Sequence, residues 1–207
     1  MIASIDHLVV AAATLAGGRA WIERRLGVPM SDGGHHEAFG THNALLSLGT
    51  TSYLEVIAID PDAAPPGRPR WFGLDDPAMR ARLAEGPALI HWVARVQELP
   101  EGTLDDGREV LALSRGENRW RITVSPDGAL PRGGVAPSLI QWLTPPPPTR
   151  LPELGVRLQT LRLTTPEPDA LRTMVQDQGL SDRIVITAGA EPHLGARLST
   201  PSGAVEL

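Results

Sequence analysis

Short apolar runs and period-2 alternation dominate the chain, and helical spacing shows in only three stretches. "IDHLVVAA" reads as a buried strand. "TLAGGRAWIERRLG" follows, with Leu15, Ile22 and Leu26 at helical spacing, Thr14 as N-cap and Gly27 as the stop. "HEAFGT", "HNALLSLG" and "SYLEVIAID" are three strand candidates split by Gly- and Thr-rich turns. The first unit is thus β, α, then three β.

The end of the chain repeats this order. "VRLQTLRLTT" predicts a strand and "PEPDALRTMVQDQG" a short helix, with Pro166 and Pro168 near its start and Gly179 at its end. "RIVITAGA", "LGARLST" and "GAVEL" predict three more strands. In the middle, "ALIHWVARV", "EVLALSR", "NRWRITVS" and "PSLIQWLT" predict four strands. Their crossover, "VQELPEGTLDDG", has Pro100 and Gly102 and little room for a helix. A helix is expected earlier, in "WFGLDDPAMRARLAEG", capped by Asp75 or Asp76, with Pro77 in its first turn. "TPPPPT" at 144–149 predicts a stiff extended linker. The expected organisation is two units at 1–60 and 87–143 in a region 1–143, the linker 144–149, and a third βαβββ-like unit at 150–207.

Within these units polar residues recur inside apolar strands. His7, His91 and Thr160 fall at matching places in the first strands, and Glu55, Gln141 and Glu206 in the last, at nearly equal separations. Alternation puts His7 on a face with Ile5 and Val9, His91 with Leu89 and Val93, and Glu55 with Tyr53 and Ile57. An ionised Glu on such a face needs a ligand or an ion partner. Each histidine has two readings, a hydrogen-bonded core residue or a ligand.

Composition narrows the chemistry. There is no cysteine, so disulfides and thiolate metal sites are excluded, and the chain is expected in a reducing, cytoplasmic setting. No apolar run is long enough to span a bilayer, and the N-terminal residues do not read as a secretory signal. The net charge of −5, with no basic cluster, predicts no nucleic-acid partner. No G-x-S-x-G and no phosphate-cradling Gly-rich loop occurs.

"IDHLVV", "GTHNALLSLG", "YLEVIAI", "RWFGLD" and "IHWVARV", in this order and spacing, resemble the glyoxalase-like domain of the vicinal oxygen chelate (glyoxalase/bleomycin resistance/dioxygenase) superfamily. The likeness covers roughly Ile5 to Leu180 and extends loosely to the end. It implies an α+β fold of repeated βαβββ modules, whose curved, mostly antiparallel sheets form a cleft, with a third C-terminal module added. In metal-dependent members the first and last strands of paired modules each point one ligand inward. The resemblance carries these positions onto His7, Glu55, His91 and Gln141, for a divalent ion such as Zn, Mn, Fe, Ni or Co. The implied function is a metal-dependent isomerase, lyase or dioxygenase acting on a small oxygen-rich molecule. The alternative is a metal-free small-molecule binding protein. Gln141 departs from the pattern: a neutral amide cannot take a proton, which argues against glyoxalase I activity itself.

The remaining polar residues carry weaker expectations. Asn43 is read as a turn hydrogen-bonder or a substrate contact, and Trp71 as linker packing or a substrate contact at the cleft mouth. His35 and His36 are expected in a solvated loop beside Gly33 and Gly34, with His42 at the start of a strand. Trp120 and Trp142 are expected in the core and His193 in a hairpin. Glu206 would join the site only if the third unit paired with the first. An unpaired half-module exposes sheet edge and apolar surface, so the third unit should cover such a surface in its own chain or in a homodimer.

Overall fold

A computed structural model describes residues 2–207. In chain order the elements are β1 (Ala3–Ala11), α1 (Leu15–Leu26), β2 (Ser31–His36), β3 (Thr41–Ser47), β4 (Tyr53–Ile59), α2 (Pro77–Glu85), β5 (Ala88–Val96), β6 (Glu109–Arg115), β7 (Asn118–Val124), β8 (Ser138–Trp142), β9 (Arg157–Thr165), α3 (Pro168–Asp177), β10 (Ile184–Ala188), β11 (His193–Thr200) and β12 (Gly203–Glu206). No helix among the described residues is long and apolar enough to cross a membrane.

The local signals act as expected in the helices. The Thr14 side chain accepts from the Gly17 amide, and Gly27 closes α1 in the left-handed region at φ 70°. Gly18 lets α1 lie close on the sheet, since a Cβ there would sit 2.6 Å from both Ala12 Cβ and Val56 Cγ1. Asp76 caps α2, with Pro77 in its first turn. The β5–β6 crossover has no helix. Only a bridge between Thr103 and Glu109 marks it.

One strand differs from the sequence pattern. "HEAFGT" is not a strand: Glu37–Phe39 forms a 3-10 turn, and β2 lies upstream at Ser31–His36. His35 and His36 therefore belong to a strand rather than a solvated loop, and His36 is buried. The Gly-Gly pair hides this strand from a propensity reading, because glycine is there for contact rather than for a turn.

Strands β1–β8 form one sheet in the order β2-β3-β4-β1-β5-β8-β7-β6. Its seam is the antiparallel β1–β5 pair, flanked by the parallel pairs β1–β4 and β5–β8. The sheet curls around a cleft, and its inner face packs in an apolar cluster with Phe39, Ile57, Trp71, Phe72, Val93, Trp120 and Ile140. Its outer face, with Leu8, Val10, Trp92 and Ala94, packs under α1 and under the third unit.

That third unit forms its own sheet, β10-β9-β11-β12. Leu158, Leu161, Leu163, Leu194 and Leu198 join the same core as Leu8 and Trp92. The apolar back of the main sheet is thus covered within the chain. Glu206 stays in the third unit, where it is half-exposed and accepts from Arg162 Nη1 at 2.6 Å, so it does not join the cleft. The proline-rich linker is packed rather than free: Pro147 and Pro148 are buried in a 3-10 turn.

Candidate functional site

β1 carries a bulge. Ile5 pairs with Ala94 and His7 with Val93, which leaves Asp6 between them without a cross-strand partner. Asp6 is fully buried and makes three contacts. Its Oδ1 meets His7 Nδ1 at 2.7 Å, and its Oδ2 accepts from Arg95 Nε at 2.6 Å and from Trp142 Nε1 at 3.0 Å. Burial works to raise this carboxyl, but the hydrogen bonds and charges of His7 and Arg95 outweigh it and hold Asp6 below the usual carboxylate range. An ionised Asp6 only accepts, so His7 Nδ1 carries the proton and Nε2 faces Glu55. The Nε2–Oε2 separation is 3.6 Å. The His7 ring stacks on Tyr53, centroids 4.5 Å apart, which fixes its plane.

The line of contacts continues across the cleft. Glu55 Oε1 accepts from Asn43 Nδ2 at 2.5 Å. Asn43 Oδ1 accepts from the Gly34 amide at 2.9 Å and from Arg115 Nη1 at 2.8 Å. Arg115 Nη1 also donates to His36 Nε2 at 3.0 Å, and His36 Nδ1 meets Thr41 Oγ1 at 3.2 Å. Burial, and then the Arg115 charge, push His36 well below the ordinary imidazole value, so it is a neutral acceptor for Arg115. The Nε and Nη2 hydrogens of Arg115 have no protein partner, and no carboxylate lies within ion-pair distance of it, among the described residues. Tyr53 is buried, which raises its phenol well above 10. It is therefore a donor, and its hydroxyl has no hydrogen-bond partner among the described residues.

These groups line a narrow cleft with about 30 Å³ of free space, walled by Trp71, Phe72, Trp120, Ile122, Ile140 and Trp142. Trp71 is thus in the wall itself, stacked on Phe39 at 4.1 Å. Phe72 holds φ 59°, a left-handed conformation that a bulky side chain adopts only under constraint. Gly33 and Gly34 make the polar side possible. A Cβ on Gly33 would sit 1.9 Å from Asn43 Oδ1, and one on Gly34 would sit 2.9 Å from Arg115 Cδ. Gly33→Ala is expected to displace Asn43 and to cost about 1–3 kcal/mol, read as a lowered urea midpoint with an unchanged m-value.

The second unit does not repeat this arrangement. β5 has a matching bulge: Ile90 lies between the pairs Val10–Leu89 and Val9–His91. The two bulges are related by a local two-fold through the Leu8–Trp92 pair, which makes His91 the counterpart of His7. The parallel pairs extend the relation. Glu55 lies opposite Val9, and Ser138 lies opposite Val93, the counterpart of Val9. Ser138, not Gln141, stands at the place of Glu55. Gln141 lies three residues further, on the face opposite the cleft-lining Ile140. Its Oε1 accepts from the Leu99 amide at 3.0 Å. His91 is fully buried, with Nδ1 3.1 Å from the Gly134 carbonyl and Nε2 3.0 Å from Ser138 Oγ. Burial pushes it down to about 3, against the Gly134 hydrogen bond. The bulge also sets Leu89 in the outer core rather than beside His91.

The four residues His7, Glu55, His91 and Gln141 therefore do not converge. His7 and Glu55 face one another, while His91 and Gln141 are bonded elsewhere. Two protein donors fall short of the three or more that hold a catalytic transition-metal ion. Sequence reasoning missed Asp6, Tyr53, Arg115 and Ser138. For Ser138 a signal existed, since its separation from His91 is close to that of Glu55 from His7.

Paired βαβββ-type units curled around a polar cleft define the class of protein. Residues 5–179 match the family described as Glyoxalase-like domain, and the chain belongs to that family. No curated protein matches it. Among solved structures, a hypothetical protein from Staphylococcus aureus superposes with a TM-score of 0.59 at 11% identity, covering 92% of this chain and 88% of that one. A Streptomyces coelicolor methylmalonyl-CoA epimerase variant in complex with 2-nitronate-propionyl-CoA gives 0.40 at 21% identity, covering 68% and 97%. The Mycobacterium tuberculosis methylmalonyl-CoA epimerase gives 0.36 at 18%, covering 67% and 85%. The first of these likenesses speaks to the fold alone.

Proposed function

We propose that the cleft binds a small oxygen-rich anion, anchors it on Arg115, and moves a proton at a carbon beside its carbonyl through Glu55 and His7. The observation that supports this reading is the line Asp6–His7–Glu55–Asn43–Arg115 beside one aromatic-walled cleft, hydrogen-bonded at every step but the 3.6 Å approach of His7 to Glu55. The unpartnered Nε and Nη2 hydrogens of Arg115 suit a carboxylate in two-point contact. Tyr53 is a donor for the carbonyl oxygen, where negative charge would develop. Glu55 takes the carbon-bound proton and passes it to the facing Nε2 of His7, which returns it to the substrate. The reaction class is an isomerisation by proton shift. No step runs through a divalent ion, because the donor set does not fit one.

One observation favours a second reading, a protein that binds and sequesters the same kind of anion. Glu55, Asn43, Arg115 and His36 are already hydrogen-bonded to one another, a network that orders the cleft without chemistry.

A thermal-shift screen with small 2-oxo and 3-oxo carboxylates, with and without chelator, tests the binding step. A stabilising carboxylate is expected, indifferent to chelator, with affinity lowered about tenfold or more in Arg115→Gln. Stabilisation that appears only with an added divalent ion contradicts the reading.

A further inference from the structure

We propose that His35, His42 and Asp60 form a divalent-metal site on the face of the β2–β3 hairpin opposite the cleft. The strand registers bring them together. His35 pairs with His42 across β2–β3, and Ala58 lies opposite His42 across β3–β4. Asp60 follows two positions later, on the same side. His36 and Asn43 alternate with these residues and face the cleft, so the two sites are separate.

Donor atoms of the three side chains all lie within 4.8 Å of one another. Asp60 Oδ2 is 2.6 Å from His35 Nδ1, and Oδ1 is 3.9 Å from His42 Nδ1. The Asp62 amide also donates to Oδ1 at 3.1 Å, which orients the carboxylate as outer hydrogen bonds do in metal sites. Two further observations point to a missing partner. The Asp60 side chain is only 6% exposed, yet neither Arg nor Lys pairs with it among the described residues. His42 has no hydrogen bond at either nitrogen: Nδ1 stands beyond hydrogen-bond distance of Asp60, and Nε2 is buried and unpartnered. A half-buried imidazole in that state calls for an ion or a water.

Two imidazoles and one carboxylate suit Zn²⁺, Co²⁺ or Ni²⁺, with water completing the shell on the exposed His35 side. The ion would tie together three adjacent strands, which carry His36, Asn43 and Glu55 on their other face.

Titration of tag-free protein with Zn²⁺ alone by calorimetry, and with Co²⁺ by visible absorption, tests the site. One equivalent is expected to bind. Saturating Zn²⁺ should raise Tm by about 5 °C or more. His35→Ala, His42→Ala and Asp60→Asn should each weaken binding at least tenfold, while His7→Gln should leave it unchanged. His35 is largely exposed, so its variant should fold normally, as circular dichroism can verify. The proposal is overturned by a wild-type protein that binds no ion. It is equally overturned by binding that survives in the His35→Ala/His42→Ala double variant, or that is lost in His7→Gln instead.

Discussion

Asp6→Ala is expected to destabilise the protein by about 3–5 kcal/mol, the range for removing one partner of a buried charge network. Three donors converge on this carboxylate: His7 Nδ1, Arg95 Nε and Trp142 Nε1. Truncation leaves all three facing an empty, fully enclosed space. Arg95, a guanidinium at the seam between β1 and β5, loses its ion partner and keeps only the Thr51 carbonyl on Nη2. Asp6→Asn should cost less, because an amide keeps one acceptor while turning donors toward donors. Urea unfolding measures both variants. The functional loss should exceed the stability loss, since His7 also loses the group that sets its tautomer.

The second large effect is acid sensitivity. His91 is pushed from 6.5 to about 3 by burial, and His36 is driven down in the same direction by burial and by Arg115. The unfolded chain takes up a proton on each as pH falls below about 6.5, whereas the folded state does not. The unfolded state therefore binds more protons in this window. The stabilisation is complete above pH 6.5 and is lost progressively below it, for His91 down to about pH 3. Each histidine held neutral contributes a slope of about 1.4 kcal/mol per pH unit. Between pH 6.5 and 5, His91 alone should remove about 2 kcal/mol. Asp6 acts in the same direction, but only below its ordinary value of 3.8. Urea midpoints at pH 7 and pH 5 check this, and His91→Phe should flatten the slope by one histidine's share.

Much of the fold is written in local chemistry. The Thr14 cap, the Gly27 stop and the Asp76–Pro77 start are each read by the backbone groups next to them. The β-rich order of the units is equally visible, because apolar runs bounded by Gly and Pro mark strands. Residues whose role depends on register are harder to read. Gly33 and Gly34 suggest a turn by propensity, but they exist to admit Asn43 and Arg115 from other strands. The pairing of His7 with Glu55 follows from alternation. The bulges at Asp6 and Ile90 break that alternation, and nothing in "SIDHLVV" or "LIHWVAR" announces them. β8 itself is regular, and plain alternation from Ser138, which lies against His91, turns Gln141 away from the cleft. Arg115 comes from the edge strand of the second unit and reaches Asn43 in the first, a contact no single stretch of chain encodes.

The central claim is that Glu55, set by the Asp6–His7 pair, exchanges a proton with a bound carbonyl-bearing anion without a divalent ion. The most direct measurement is proton NMR of a stabilising carboxylate incubated with the protein in D₂O and chelator. The account predicts loss of the signal from the carbon beside the carbonyl, at a rate well above the buffer control, and its abolition in Glu55→Gln with binding retained. Wild-type protein that binds the carboxylate but leaves that signal untouched, or washout that persists in Glu55→Gln, contradicts it.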